Sequence, residues 1–467
     1  MTARAPIDVT ALLERGRIGT ALVGVIFLCL LLMFLDGYDA IGIAFAAPWI
    51  ARQWHIAPGS FGPAFALGPV GMLIGGIVLG YLGDRFGRKP AIIAATLCFG
   101  LPILATPFSR DLDDLAAIRF VSGLGIGGLF PLVLVLAQEF MPRRWRSTGA
   151  ALANAGYTLG IMFCGVVAAS AVPRLGWPLL FWIGGGAAIL LCPVLVLKLP
   201  ESIRFLVISG RDPARIARIA RRLDPSLRID ADDRFILAAE PAGLSGLRAL
   251  RHLFAGRLGV MTPLLWLCYV ASSATVFFLS LWGPILSEAL GISPSAAALA
   301  MSAVSLGGLI ASLVLARCID RFGAIAIAAM PLVAAPLILG LGMVRMSDHV
   351  YVVAMLVVGC FAVGGHAGLH AIAGIFYPSA CRATGTGWAL SVSRLGTIGG
   401  PLVGGALMNA HLPLARIFAI AALPSVVFAA AALGLGMQHL RLLREEAAPR
   451  ASQSRPPAGG VGDILST

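Results

Sequence analysis

From Ile18 to Ile50 the chain carries only two charges, Asp36 and Asp39. A helix needs about 20 apolar residues to cross the hydrocarbon core of a bilayer, so this stretch is long enough to span. It is not alone. Twelve such runs follow one another along the 467 residues, from 20–44 to 413–437, and 58% of the sequence is hydrophobic against 12% charged. A mean hydropathy of +0.91 is more than a soluble chain of this length can bury, so lipid must be part of its solvent. The runs predict an all-α membrane protein with twelve transmembrane helices. The first run is too long for a signal peptide and no small-residue cleavage site follows it, so it is expected to stay as a span.

The basic residues set the direction. With a cytoplasmic N-terminus, 28 of the 35 Lys and Arg fall in inner segments and five in outer ones, while Arg119 and Arg394 lie within spans. This is the asymmetry that membrane insertion imposes. It predicts a multi-pass protein of the cell inner (plasma) membrane with both termini cytoplasmic. The net charge of +13 then follows from topology and suits an anionic inner leaflet; it calls for no nucleic-acid partner. Eight cysteines stand singly with no C-x-x-C and are expected to be reduced packing residues. No catalytic triad, nucleotide-binding loop or enzyme domain is visible, and no cofactor or metal is expected.

The chain also repeats itself. YLGDRFGRKP at 81–90 aligns with RCIDRFGAIA at 317–326, and FMPRRWRSTG at 140–149 with FYPSACRATG at 376–385, both at an offset of 236. The same offset places Pro48 on Pro284, Gly123 on Gly359 and Gly160 on Gly396. Two pseudo-symmetric six-helix bundles are expected. The first covers 1–197 and the second 259–437. A cytoplasmic loop at 198–258 joins them, and a disordered tail is expected at 438–467. Within the loop, RDPARIARIARR (211–222) predicts a short surface helix with Asp212 as cap and Pro213 in its first turn. Residues common to both halves should serve the scaffold. The charges within or at the rim of spans are not common: Asp36 falls on Ser272, Asp39 on Thr275, Arg119 on Met355, Glu139 on Ile375 and Arg394 on Thr158.

The loop GYLGDRFGRKP resembles the G-x-x-x-D-R-x-G-R-K signature of the major facilitator superfamily, met by Gly80, Asp84, Arg85, Gly87, Arg88 and Lys89. RFVSGLGIGG (119–128) and LPESIRFL (199–206) are similar to further motifs of that superfamily. DGYD in the first span and FYPSACRATGTGWALSVSRLG (376–396) resemble its aromatic acid:H+ symporter family. The resemblance covers essentially all twelve spans. It implies a twelve-helix transporter that works by alternating access, with the signature loop as an inner gate whose reversible ion pairs lock the halves. Gly80 and Gly87 would permit close backbone approach there. Asp320, Arg321 and Arg382 would form the weaker echo in the second half, and Glu139 would join the lattice by a salt bridge to Arg85 or Arg146. It also associates the fourth-span Arg119 with proton coupling.

Asp36 and Asp39, three residues apart, share one helix face about 5–6 Å apart at Cβ. Near mid-span each costs roughly 2.5–3.5 kcal/mol to insert. Desolvation and a like-charged neighbour both favour the protonated form, so at least one is expected to take up a proton near neutral pH. The alternative is that one merely caps a helix broken at Gly37. Arg394 lies about 18 Å into the eleventh span, twelve residues beyond Arg382, and needs an anion there. Its partner is either Asp36 or Asp39, in one alternative as a permanent salt bridge between halves, or the carboxylate of a substrate. His366 and His370, four apart on the tenth span, suit hydrogen bonds to ring hydroxyls or proton transfer, or plain packing; no third metal ligand is evident. Tyr38, Tyr157 and Trp388 could stack on a ring or simply pack. The function expected is proton-coupled uptake of a small aromatic carboxylate of hydroxybenzoate type, by a monomer with H+ as coupling ion. The rival readings are a symporter for another organic acid or sugar, a drug/H+ antiporter, or a non-transporting receptor.

Overall fold

The computed structural model describes residues 7–9, 19–142, 145–210, 213–223, 235–237, 246–378 and 381–453. Its long helices are α1 (Thr20–Trp54), α2 (Gly62–Phe86), α3 (Arg88–Ala105), α4 (Leu112–Phe140), α5 (Arg146–Ser170), α6 (Pro178–Lys198), α7 (Leu258–Ala289), α8 (Pro294–Phe322), α9 (Ala329–Leu341), α10 (Asp348–Phe376), α11 (Arg382–Asn409) and α12 (Leu414–Gln453). Eleven of the twelve belong to segments long and apolar enough to cross a membrane. The exception, α11, carries Arg394 among serines, threonines and glycines where its neighbours carry Leu and Val. The helices outrun the apolar stretches that signal them. At 35 residues, α1 is about 52 Å long, against a hydrocarbon core of about 30 Å. Ile77, Leu190 and Leu313 stand exposed in mid-helix, as a lipid-facing surface requires.

Packing repeats between the halves. α1 lies along α5 as α7 lies along α11, α2 along α4 as α8 along α10, and α3 along α6 as α9 along α12. The repetition extends to single atoms. Gly123 of α4 abuts the carbonyl of Gly68 on α2, and Gly359 of α10 abuts that of Val304 on α8. Gly160 of α5 meets the Phe34 carbonyl of α1, and Gly396 of α11 meets the Val270 carbonyl of α7. All eight positions pair at the offset of 236, and a Cβ at any of the four glycines would collide with backbone. These are scaffold glycines: without them the helices could not approach so closely. Both Asp-Arg-Phe-Gly loops also end on a glycine at positive φ, +112° at Gly87 and +70° at Gly323, where a side chain is strained.

The halves meet through α5 against α8, α2 against α11, and α1 against α7. Between them the linker forms short helices at Ile203–Ile208, Pro213–Leu223 and Gly246–Leu253. The expected surface helix is thus present from Pro213, while Asp212 lies outside the described residues. Its apolar side is not free: Ile216, Ala217 and Ile219 are buried, packed towards α1 and the Ile203–Ile208 helix. A parallel two-residue pairing of Ile7–Asp8 with Phe235–Ile236 ties the N-terminal segment to the linker, a contact that helical periodicity cannot signal. The tail expected to be disordered from 438 continues as helix to Gln453; residues 454–467 lie outside the described part. All eight cysteines are free.

Candidate functional site

The two first-span acids have different surroundings. α1 runs unbroken through Gly37, so neither acid caps a broken end. Gly37 has no side chain to hold α5 away, and α1 there presses against the backbone of Tyr157. Asp39 faces α4, where Nη1 of Arg119 donates to both its carboxylate oxygens at 3.0 and 3.1 Å. Asp39 is 2% exposed and Arg119 7%, so this is a buried, mutually neutralising pair. Asp36 is 1% exposed and neither of its oxygens has a hydrogen-bond partner. Its charge, that of Arg394 and the Tyr157 hydroxyl act on one another. Asp36 is therefore a buried carboxyl within electrostatic reach of Arg394 but hydrogen-bonded to nothing.

Arg394 forms no salt bridge among the described residues. Nη1 lies 4.0 Å from the Met72 sulfur on α2, and the permanent bridge between halves is not made. As a whole residue Arg394 is half-buried. Arg119 is thus the partner that residue-by-residue reading did not assign to Asp39. The signal for it was available, since both belong to the small set of charges present in one half alone.

In the second half, α7 presents neutral groups at the corresponding positions. Ser272, the counterpart of Asp36, has its Oγ 2.8 Å from Nδ1 of His366. Thr275, the counterpart of Asp39, bonds Ser425 of α12 at 3.1 Å. The Tyr269 hydroxyl lies 3.2 Å from Nδ1 of His370. Tyr269 and Ser272 were not foreseen; only the offset of 236 points to Ser272.

The aromatic candidates separate. Tyr157 lines a cavity with Arg119, Met72, Phe65, Phe277 and Leu281, so both halves contribute walls. Tyr38 instead packs on Phe163, with ring centroids 6.2 Å apart, and against Gly184; it belongs to the interior of the first bundle. Trp388 stacks on Trp266 at 6.2 Å and is 43% exposed, in register with exposed Leu395 and Leu402. Six residues before Arg394, it points about 120° away around α11. Neither Tyr38 nor Trp388 joins the Arg394 cluster.

At the end carrying the signature loop, Asp84, Arg85, Arg88 and Lys89 find first-half partners among the described residues. Arg88 bonds Asp84 at 2.6 Å and Arg85 donates to the Tyr81 hydroxyl at 2.9 Å. Glu201, 3% exposed, accepts from the backbone N–H groups of Arg88 and Lys89 at 2.7 and 3.1 Å. It thereby caps α3, whose first turn supplies unpaired donors and a positive dipole end. The Lys89 ammonium donates to the Val196 carbonyl at 2.6 Å. Glu139 hydrogen-bonds Ser202 and faces Arg88 and Arg204 rather than Arg85; the Arg146 side chain lies outside the described residues. A Cβ at Gly87 would strike Glu201, whereas one at Gly80 would meet open space, so close approach explains only Gly87. In the echo, Arg321 covers the Phe322 ring as Arg85 covers Phe86, and Arg382 donates to the Tyr377 carbonyl at 3.2 Å; the Asp320 side chain lies outside the described residues.

The bonds that join the halves lie towards the opposite end. Ser302 donates to the Met162 carbonyl at 3.2 Å and Ser295 to that of Ala169 at 2.9 Å. Phe65 meets Trp282 edge-on at 5.1 Å, and Gly59 abuts Asn409. Arg52, lying over the Trp49 ring, forms a salt bridge with Glu288. Their numbers differ by 236. Equivalent positions can touch only beside the axis that relates the halves, so this bridge marks the axis at the closed end.

Two matched six-helix bundles that both contribute walls to one cavity have the architecture of a secondary membrane transporter, not an enzyme. The chain belongs to the Major Facilitator Superfamily, whose family model matches residues 29–262 and 265–461. It is 29% identical to the 4-hydroxybenzoate transporter PcaK of Acinetobacter baylyi over 94% of this chain and 96% of that one. It is 31% identical to the gallate transporter of Pseudomonas putida, over 95% and 98%. Among solved structures, a bacterial homolog of the human lysosomal transporter Spinster superposes with a TM-score of 0.70 at 15% identity, covering 91% of this chain and 99% of the other.

Proposed function

We propose that the protein takes up a small aromatic carboxylate of hydroxybenzoate type together with H+, in a bacterial inner membrane, by rocking its halves about a central site. The observation that carries this reading is Asp36, enclosed and unbonded beside an Arg394 that has no internal anion. A carboxylate kept ionised there would cost several kcal/mol, so Asp36 holds a proton whenever no cation is close. A substrate carboxylate engages Arg394 through two parallel hydrogen bonds, and the electrostatic hold of Arg394 on Asp36 weakens as it does so. Binding of the acid and protonation of Asp36 thereby favour each other, as symport requires. The Asp39–Arg119 pair holds α1 to α4 and keeps a second carboxylate neutralised next to the proton site. One H+ per monoanion is electroneutral; a second would add about 2.3 kcal/mol per 100 mV of membrane potential.

With the basic loops cytoplasmic, as their excess of Lys and Arg supports, the end sealed by Arg52 and Glu288 is the outer one. A seal at the outer end corresponds to the inward-open conformation of an alternating-access cycle. The names of the relatives support an aromatic acid as cargo. Uptake of labelled hydroxybenzoates, phenylpropionates, sugars and non-aromatic acids, with and without an uncoupler, tests the reading. Hydroxybenzoate accumulation that collapses with uncoupler is expected, as is its loss in Asp36→Asn. Uptake of sugar alone, insensitive to uncoupler, would overturn the proposal.

A further inference from the structure

The histidines of α10 carry information about the cargo beyond its carboxylate. His366 and His370 stand one turn apart with ring centroids separated by 6.1 Å, and each has its Nδ1 occupied by a hydroxyl of α7. One placement of the protons satisfies every one of these contacts. Ser272 has one hydroxyl proton, and its Oγ lies 3.2 Å from the carbonyl oxygen of Tyr269, which can only accept. Both contacts are satisfied at once when that proton goes to the carbonyl and Nδ1–H of His366 donates to Oγ at 2.8 Å, and the proposal takes this arrangement. A neutral imidazole with its proton on Nδ1 has a bare lone pair on Nε2.

His370 is arranged the other way. The Tyr269 hydroxyl belongs to a fully buried ring, and Nδ1 of His370, at 3.2 Å, is the acceptor its proton can reach. In the arrangement that satisfies the Tyr269 hydroxyl as donor, His370 accepts at Nδ1 and carries its own proton on Nε2. Neither Nε2 is bonded to the protein among the described residues. His366 is half-buried and His370 exposed as whole residues. One face of α10 thus offers an acceptor and a donor one turn apart. An alcohol or phenol, which donates and accepts through one oxygen, satisfies both at once. An ether or a bare ring edge leaves the acceptor, the donor or both unmet.

We infer that His366 and His370, oriented by Ser272 and Tyr269, form a subsite that reads a hydroxyl on the ring of the cargo and selects hydroxylated aromatic acids over unsubstituted or O-methylated ones. The inference rests on the aromatic-carboxylate reading above, with Arg394, whose charge reaches His366, at the carboxylate end. A division of labour between the halves follows. The first half manages charge at Asp36, and the second reads a neutral polar group at the matching level of Ser272. A site that hydrogen-bonds a hydroxyl discriminates strongly against analogues lacking it, because its own polar groups are then left unpaired.

The test is equilibrium binding of 4-hydroxybenzoate, benzoate and 4-methoxybenzoate to the purified full chain at one pH. The wild type should bind the hydroxylated acid about tenfold or more tighter than the other two. His366→Leu should bring it down to the benzoate level while leaving benzoate within about twofold. Ser272→Val should lose the discrimination likewise, and Ser272→Thr, which restores the hydroxyl, should regain it. Equal wild-type affinity for benzoate and 4-hydroxybenzoate would overturn the subsite and leave the aromatic-acid reading standing. Failure to bind any of the three would overturn both.

Discussion

Asp39 and Asp36 lie three residues apart, yet the structure assigns them opposite responses to the same substitution. At 3.0 Å from Arg119, the attraction in a medium of effective dielectric 20 is about 5–6 kcal/mol. Removing one member of such a buried pair costs about 3–5 kcal/mol, because the other charge is left uncompensated. Asp39→Asn and Arg119→Gln should each lower thermal stability in detergent by roughly 6–20 °C, by the scaling for a bundle of this size. The double variant should recover most of that loss, since no charge remains stranded. Asp36→Asn removes a carboxyl that bonds nothing, and should change stability by less than about 1 kcal/mol while abolishing coupled accumulation. The assay is a thermal melt of the four purified variants, read as a double-mutant cycle with Asp36→Asn beside it. Equal melting losses for Asp36→Asn and Asp39→Asn, or no recovery in the double variant, would refute the reasoning.

Three further outcomes are expected. Cysteines at positions 52 and 288, cross-linked by oxidation in a background stripped of native cysteines, should stop uptake, and reduction should restore it; undiminished uptake in the cross-linked form would remove this end from the transport cycle. Glu201→Gln should destabilise by about 1.5–3 kcal/mol, as loss of a charged helix cap does, measured again by thermal melt. Arg394→Lys should weaken binding of the acid about tenfold or more by losing the paired donor geometry, whereas Trp388→Leu, on another face of α11, should leave affinity unchanged in the same titration.

Much of the fold was legible because lipid leaves a chain little choice: apolar runs of sufficient length become helices, and a duplicated pattern becomes matched bundles. Gly123, Gly160 and their second-half counterparts were recognised as shared, and the structure supplies the reason in helix backbones that nearly touch. The site was legible in part. Charges confined to one half identified Asp36, Asp39, Arg119 and Arg394, but not which acid pairs with which arginine. That depends on the rotation of α1 against α4 and α5, a property of packing that no local pattern encodes. Trp388 and Tyr38 misled because an aromatic residue near a functional one in sequence can face a different neighbour, and six positions along α11 are enough to turn Trp388 away. Ser272 and Tyr269 escaped notice because a lone hydroxyl on an apolar helix acquires meaning only once its neighbour across the interface is known. Gly80 shows the opposite failure: the motif names it, yet its surroundings are empty.

The bridge beside the pseudo-symmetry axis also bears on how the protein arose. Two identical copies of an ancestral half would have placed the same residue at both positions, and like charges facing each other across the axis repel. Arg52 opposite Glu288 is an attraction that only unlike copies can make. The present seal at that end is therefore younger than the doubling of the gene, and was acquired when the twin sequences drifted apart.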